Sequence, residues 1–243
     1  MKIIAVSDIH LKYTDKAVDK ENQELFISFL KKEAVKADLL ILNGDIFDLW
    51  FVWKKVIIKQ YFPLLRILAD IKDKGCRIVY ISGNHDFWFK DFLTRYIGIE
   101  IHKDHFSIYA DSKKVFFTHG DIYTTNDFRY KFYRFLIRKK FFMWLFGTLH
   151  PDFALDLGLK LSRSSRKKVI PDRLSKQREI GLERFAEKNK QNYDIVVMGH
   201  SHNPKILNFE NLIYLNSGDW INHYSYVEIN NGNPKLKYYN KAK

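Results

Sequence analysis

Seven side chains able to ligate a metal stand in five short clusters along the 243-residue chain. The clusters are Asp8-Ile9-His10, Gly44-Asp45-Ile46-Phe47-Asp48, Gly83-Asn84-His85-Asp86, His119-Gly120-Asp121 and Gly199-His200-Ser201-His202. The candidate ligands are Asp8, His10, Asp45, Asn84, His119, His200 and His202, which offer oxygen and imidazole nitrogen but no thiolate. Such a set disfavours a structural zinc site and suits manganese, iron or zinc in a catalytic pair. Asp8 and His10 are two residues apart, so both can turn toward one ion; His200 and His202 are again two apart, so each could serve a different ion. Two neighbouring cations repel, which asks for a bridging carboxylate, and Asp45 is the candidate. A pair of this kind acidifies a water and neutralises charge growing on phosphoryl oxygens, the chemistry of phosphate ester and anhydride hydrolysis. Asp86 and Asp121 read as residues that orient neighbours or brace turns. One D-x-H or H-x-H alone is a common coincidence; five clusters in order, each behind a strand, are not.

The elements that must position these groups follow from the hydrophobic pattern. Lys2–Ser7, Leu39–Asn43 and Arg77–Ser82 are short apolar runs separated by helical patterns over Lys20–Val35 and Lys55–Lys72. That alternation predicts parallel strands covered on both faces, with ligands just beyond their carboxyl ends. Phe106–Tyr109 and Lys114–Thr118 predict a hairpin leading into His119. Strands are expected again at Asp194–Met198, Lys205–Asn208, Leu212–Leu215, His223–Ile229 and Lys235–Tyr239, the last two joined by the turn Asn230-Asn231-Gly232. Between 126 and 189 the pattern is helical only, with Pro151 and Pro171 placed to open helices. The fold class expected is α/β: one domain over 1–243, a sandwich-like sheet core flanked by helices, with a helical cap inserted at 126–189.

Composition narrows the setting. Apolar residues make up 46% of the chain, enough for a sizeable core. The single Cys76 excludes an internal disulfide and reads as a small buried hydrophobe. Met1-Lys2 leads straight into a strand, so no secretory leader is expected, and no apolar run approaches the roughly 20 residues of a membrane span. The net charge is +13. From Arg129 to Arg178 there are fourteen Lys and Arg against three Asp, a balance of +11, so one segment carries nearly all the excess. Concentrated charge of this kind implies an anionic partner at that place.

The order and content of the five clusters resemble the calcineurin-like metallophosphoesterases over roughly 1–125 and 190–220. The resemblance implies a sandwich of that family's type and two divalent ions, manganese expected, with iron or zinc as alternatives. It assigns Asp8, His10, Asp45 and His202 to one ion, and Asp45, Asn84, His119 and His200 to the other. It also implies that His85 contacts the phosphate or protonates the leaving group, with Asp48 as its partner and Asn84 near the substrate.

The inserted segment is basic and aromatic together, from Arg129-Tyr130-Lys131-Phe132 through Arg138-Lys139-Lys140 to Phe141-Phe142-Met143-Trp144-Leu145-Phe146. Such helices can lie on an anionic membrane or enclose an acyl chain while their cations hold phosphates. The plainer alternative is an apolar stripe packed on the core beneath a solvated basic face. Asn126-Asp127, Tyr130, Arg134, Leu149-His150-Pro151 and Ser162-Arg163-Ser164-Ser165-Arg166 are similar to the lid of UDP-2,3-diacylglucosamine pyrophosphohydrolases. That resemblance implies cleavage of UDP-2,3-diacylglucosamine to UMP and 2,3-diacylglucosamine 1-phosphate in lipid A synthesis, at the cytoplasmic, inner face of the cell membrane. Tyr130, Arg134, Arg163, Ser165 and Arg166 would hold the diphosphate and sugar. The chain departs from that group in carrying His85 where well-known members carry Arg. The alternative reading is a nucleotide phosphodiesterase or nuclease on the same core, its basic segment tracking nucleic acid. The contiguous aromatic clusters argue against that.

Overall fold

The computed structural model describes residues 1–125, 128–167 and 172–239. Pro171, Asn126, Asp127 and the side chains of Tyr130, Arg163, Ser165 and Arg166 lie outside the described residues.

Two sheets face each other. The first has the order β11 (Asn233–Tyr238), β10 (Ser225–Asn230), β1 (Lys2–Val6), β2 (Leu39–Asn43), β3 (Arg77–Ile81), β4 (Glu100–His102). Strands β1 to β4 run parallel, and β10 and β11 are antiparallel additions at one edge. The second has the order β5 (His105–Ala110), β6 (Lys113–Thr118), β7 (Ile195–Met198), β9 (Leu212–Asn216), β8 (Lys205–Phe209), with β6, β7 and β9 parallel. Alternation along each strand divides the core. Ile3, Ala5, Leu39, Ile41, Val79 and Ile81 meet Val115, Phe117, Ile195, Val197 and Leu215 between the sheets. Ile4, Val6, Leu40, Leu42, Ile78 and Tyr80 face the other way, toward α1 (Ala17–Lys32) and α2 (Phe62–Asp73). Burial on both faces is why these strands read as unbroken apolar runs.

Helix α1 lies three residues earlier than the expected Lys20–Val35, and α2 and β4 depart further from the sequence expectation. Helix α2 begins at Phe62 rather than Lys55, after a 3₁₀ turn at Lys59–Tyr61. Pro63 has no N–H to give and is accommodated only in a first turn, so the helix cannot reach back to Lys55. Strand β4 has three residues and follows a π-helical turn at Leu93–Ile97; neither leaves a periodic signal.

Between β6 and β7 lie α3 (Phe128–Ile137), α4 (Lys140–Thr148), α5 (Pro151–Lys167) and α6 (Asp172–Lys188). Leu182 and Ala186 of α6 pack on Val196, Met198 and Tyr214, covering the second sheet. Helix α4 divides its apolar residues. Phe146 lies 4.9 Å from the rings of both Phe51 and Trp88, whereas Phe141 and Trp144 are 60% and 63% exposed. The packed stripe and the uncovered aromatic face therefore coexist in one short helix. No helix among the described residues is long and apolar enough to cross a membrane.

Candidate metal centre

The candidate ligands sit one to four residues beyond the carboxyl ends of β1, β2, β3, β6 and β7, where both sheets present their loops to the same end. Five of the seven have left-handed backbone: Asp8 (φ 57°), His10 (50°), Asp45 (54°), His200 (66°) and His202 (58°). This conformation is costly for residues with a Cβ and persists only where surrounding contacts enforce it. Here those contacts are hydrogen bonds from Asp8 N to Gly44 O (3.1 Å), His10 N to Asp45 O (3.0 Å) and His200 N to Asp8 Oδ2 (2.9 Å). Gly44, just before Asp45, has φ 84°. A Cβ there would fall 2.6 Å from His119 Nδ1, so its bareness makes room for that imidazole.

The seven groups converge. His202 Nε2 lies 3.2 Å from Asp8 Oδ1 and 3.3 Å from His10 Nε2, which is itself 3.8 Å from Asp8 Oδ1. Asp45 Oδ2 stands between two imidazoles, 3.8 Å from His10 Nε2 and 3.4 Å from His119 Nε2. Asn84 Oδ1 is 3.2 Å from the same His119 nitrogen, and the His200 ring lies 5.2 Å from that of His119. Asp45 thus stands between the His10 and His119 groups of candidate ligands.

The donor set fits divalent ions. Ligand atoms about 2.0–2.2 Å from one cation are themselves roughly 3 Å apart, close to the spacings here. Asp8, His10 and His202, and likewise Asp8, Asp45 and His119, bring one ligand atom each within 4.8 Å of one another. Asp8 Oδ1 and His10 Nδ1 are buried without a hydrogen-bond partner among the described residues. Protonation tells the same story. Burial pushes the Asp8 carboxyl up, but His202 and His119 outweigh it and hold it at about 2. Burial likewise opposes ionisation of Asp45, yet His119 and His85 keep it well below the usual carboxylate range. Against their own burial, His119 is raised to about 10 by Asp45 and Asp8, and His202 to about 10 by Asp8 and Asp219. Burial lowers His10 to about 3 and His200 to about 4. Two imidazoles are driven to carry positive charge among carboxylates, the role a cation takes when bound.

Outer contacts orient the inner groups. His119 Nδ1 lies 3.0 Å from the Asn43 carbonyl, leaving Nε2 for the centre. Asp86 braces turns and, among the described residues, has no imidazole partner. Its carboxylate accepts the N–H groups of Asp45 (2.9 Å), Ile46 (2.7 Å), Phe47 (3.1 Å) and Gly83 (3.0 Å), and the Tyr80 hydroxyl. His85 donates its backbone N–H to Asp45 Oδ1 (2.8 Å), and its Nδ1 lies 3.2 Å from Asp48 O and 3.6 Å from Asp48 Oδ1. The expected His85–Asp48 pair is brought together.

Of the residues expected to hold substrate, Arg134 reaches Asp121 Oδ2 (2.5 Å) and Asp104 Oδ1 (3.1 Å), so Asp121 anchors helix α3. Arg134 also lines a cavity of about 390 Å³ with Ile122, Lys131, Phe135, Arg138 and Lys139. Sequence reasoning missed two residues. Arg138, read only as part of a basic break, donates to the carbonyl of Gly83 beside Asn84 (2.7 Å). Asp219 faces Nδ1 of His202 (3.5 Å) and of His223 (3.4 Å). The Gly218-Asp219 pair behind a strand was the available signal.

The chain is similar to known proteins over most of its length. A protein named UDP-2,3-diacylglucosamine hydrolase from Porphyromonas gingivalis is 27% identical, the match covering 93% of each chain. Proteins of the same name from Histophilus somni and Aliivibrio fischeri are 29% and 26% identical, covering 90% and 94% of this chain and 92% and 94% of theirs. The family described as calcineurin-like phosphoesterase matches residues 1–204. The chain therefore belongs to the calcineurin-like phosphoesterase family, as a metal-dependent hydrolase of phosphoester or phosphoanhydride bonds.

Proposed function

We propose that the chain cleaves the pyrophosphate of UDP-2,3-diacylglucosamine, giving UMP and 2,3-diacylglucosamine 1-phosphate for lipid A synthesis. The observation that carries this reading is the cavity lined by Lys131, Arg134, Arg138 and Lys139 with Ile122 and Phe135, on a helix pair whose aromatic face is uncovered. Guanidinium and ammonium groups hold phosphates, and an apolar surface beside them suits acyl chains. The name carried by relatives matching nine-tenths of the chain supports it.

In this reading Asp8, His10, Asp45 and His202 hold one divalent ion, and Asp45, Asn84, His119 and His200 the other, with manganese as the proposed metal. When bound, the ions supply an acidified water and neutralise charge on the phosphoryl oxygens. The side chains prepare the site for that chemistry. Asp86 keeps the loops of Asp45 and Asn84 in register. His85 turns Nδ1 toward Asp48 and leaves Nε2 to donate a proton to the departing phosphate. Tyr130, Arg134, Arg163, Ser165 and Arg166, joined by Arg138, hold the diphosphate and sugar. The segment 126–189 acts as a lid, and its exposed aromatics take the acyl chains and rest on the anionic cytoplasmic face of the membrane.

The test offers purified protein and manganese three substrates separately: UDP-2,3-diacylglucosamine, CDP-diacylglycerol and single-stranded DNA. Release of UMP from the first alone is expected. Cleavage of DNA alone would replace the lipid reading with a nuclease.

A further inference from the structure

We propose that Asp219 is a positioning residue for the metal centre, fixing the His202 imidazole so that Nδ1 carries the proton and Nε2 faces Asp8. The inference rests on the dinuclear reading above and adds a residue which that reading does not contain.

Strand β9 ends at Asn216, and the chain continues through Ser217-Gly218-Asp219-Trp220. Gly218 has φ 72°, and a Cβ there would lie 2.1 Å from Ser225 Oγ and 2.9 Å from Pro204 Cβ. Only glycine lets the chain turn at this point. The turn buries the Asp219 side chain, which is 1% exposed. Its two oxygens have separate partners. Oδ1 accepts the backbone N–H groups of Ile221 (3.0 Å), Asn222 (2.8 Å) and His223 (3.1 Å), which closes the turn. Oδ2 stands 3.5 Å from His202 Nδ1 and 3.4 Å from His223 Nδ1. A residue serving only as a turn cap would need Oδ1 alone.

The turn is tied to the first ligand loop by other bonds as well. Trp220 donates its N–H to the Asp8 carbonyl (3.1 Å). Ser217 Oγ lies 2.6 Å from Ser7 Oγ, which donates to Asp8 Oδ2 (2.5 Å). Asp219 is thereby held in place relative to Asp8, with the His202 ring between their carboxylates. A neutral imidazole has one donor and one acceptor nitrogen. A carboxylate at Nδ1 draws the proton there and leaves the Nε2 lone pair toward Asp8 and His10. Without that acceptor, the ring can take the opposite tautomer, whose Nε2–H points where a cation would bind.

Asp219→Asn and Asp219→Ala separate the two duties. The asparagine keeps an oxygen for the three N–H groups and sets an amide NH₂ against His202 Nδ1–H, donor against donor. The alanine removes both acceptors. Calorimetric titration of metal-stripped protein with Mn²⁺ should show two ions bound per wild-type chain. In Asp219→Asn one of them should bind about 10–100-fold more weakly, with the metal-free melting temperature within a few degrees of wild type. Asp219→Ala should lose both affinity and stability. Wild-type-like affinity in Asp219→Asn, or metal-free destabilisation as large as that of the alanine variant, overturns the assignment. His223→Gln should bind Mn²⁺ as wild type does; an equal loss there overturns it too. Long-range ¹H–¹⁵N correlation on the Zn²⁺-loaded wild type depends on no variant folding. A proton on His202 Nδ1 is expected, and one on Nε2 defeats the proposal. Fewer than two Mn²⁺ on the wild type takes down the dinuclear reading and this one together. Two ions on the wild type with an unaffected Asp219→Asn takes down this one alone.

Discussion

Asp45 divides its carboxylate between the loop of His85, through Oδ1, and the gap between His10 and His119, through Oδ2. Asp45→Asn preserves size and one acceptor but removes the charge two cations would share. Turnover of a chromogenic phosphodiester should fall by about 10²–10³-fold or more, and Mn²⁺ binding should drop to one ion or none. Near-normal activity with a single ion bound would show that no bridge is needed. Asp86 bears on stability instead. Burial and then the Asp45 charge raise it to about 6, and it accepts four backbone N–H groups and the Tyr80 hydroxyl. Asp86→Ala leaves those donors unsatisfied, at about 3–5 kcal/mol. Calorimetry should therefore show a melting temperature lower by roughly 10 °C. A shift under a few degrees would mean that water replaces the carboxylate. The seven ligand types were legible in the sequence because residue identity and spacing carry them. The bracing by Asp86 was legible only as one of two options, since which donors surround a carboxylate is decided by loops from distant strands.

Strand ends were the most readable elements, because strands buried on both faces leave continuous apolar runs that stop where the ligands begin. The hairpin turns were readable as well: Asn231 (φ 49°) and Gly232 (φ 73°) adopt the left-handed pair that Asn-Gly favours. The same conformation at Asp8, His10, Asp45, His200 and His202 was invisible, because Asp and His tolerate it better than most residues but do not require it. Helix α4 was ambiguous for another reason. Its residues are apolar nearly all round, so periodicity does not say which side packs. The structure distinguishes Phe146, against Phe51 and Trp88, from Phe141 and Trp144, which are mostly uncovered. Phe146→Ala should cost about 2–3 kcal/mol, somewhat below the range for a fully buried Phe. Phe141→Ser with Trp144→Ser should leave the melting temperature nearly unchanged. That double variant should lose tenfold or more in binding to anionic vesicles, at about 1.5–3 kcal/mol per apolar side chain withdrawn from the bilayer. Unchanged vesicle sedimentation would assign those aromatics to another partner.

For the molecule as a whole, the response to salt would separate a hydrolase working at a lipid surface from one working in bulk water. The chain carries +13, and fourteen of its Lys and Arg fall between Arg129 and Arg178. Several are already engaged: Arg134 with Asp121 and Asp104, Arg138 with Gly83 and over the Phe87 ring. Those held by protein partners are screened little by salt, whereas exposed lysines facing an anionic surface act over the Debye length. That length falls from about 10 Å at 0.1 M to about 3 Å at 1 M salt. Raising NaCl across that range should therefore lower kcat/KM for lipid substrate on anionic mixed micelles by tenfold or more. Hydrolysis of a small chromogenic phosphodiester at the same centre should change by less than about twofold, because Asp8, His10, Asp45 and His119 are buried and the small substrate needs no docking. Parallel loss on both substrates would place the salt effect in the metal centre. No loss on either would mean that the basic segment is a solvated face, and that access to the centre owes nothing to the membrane.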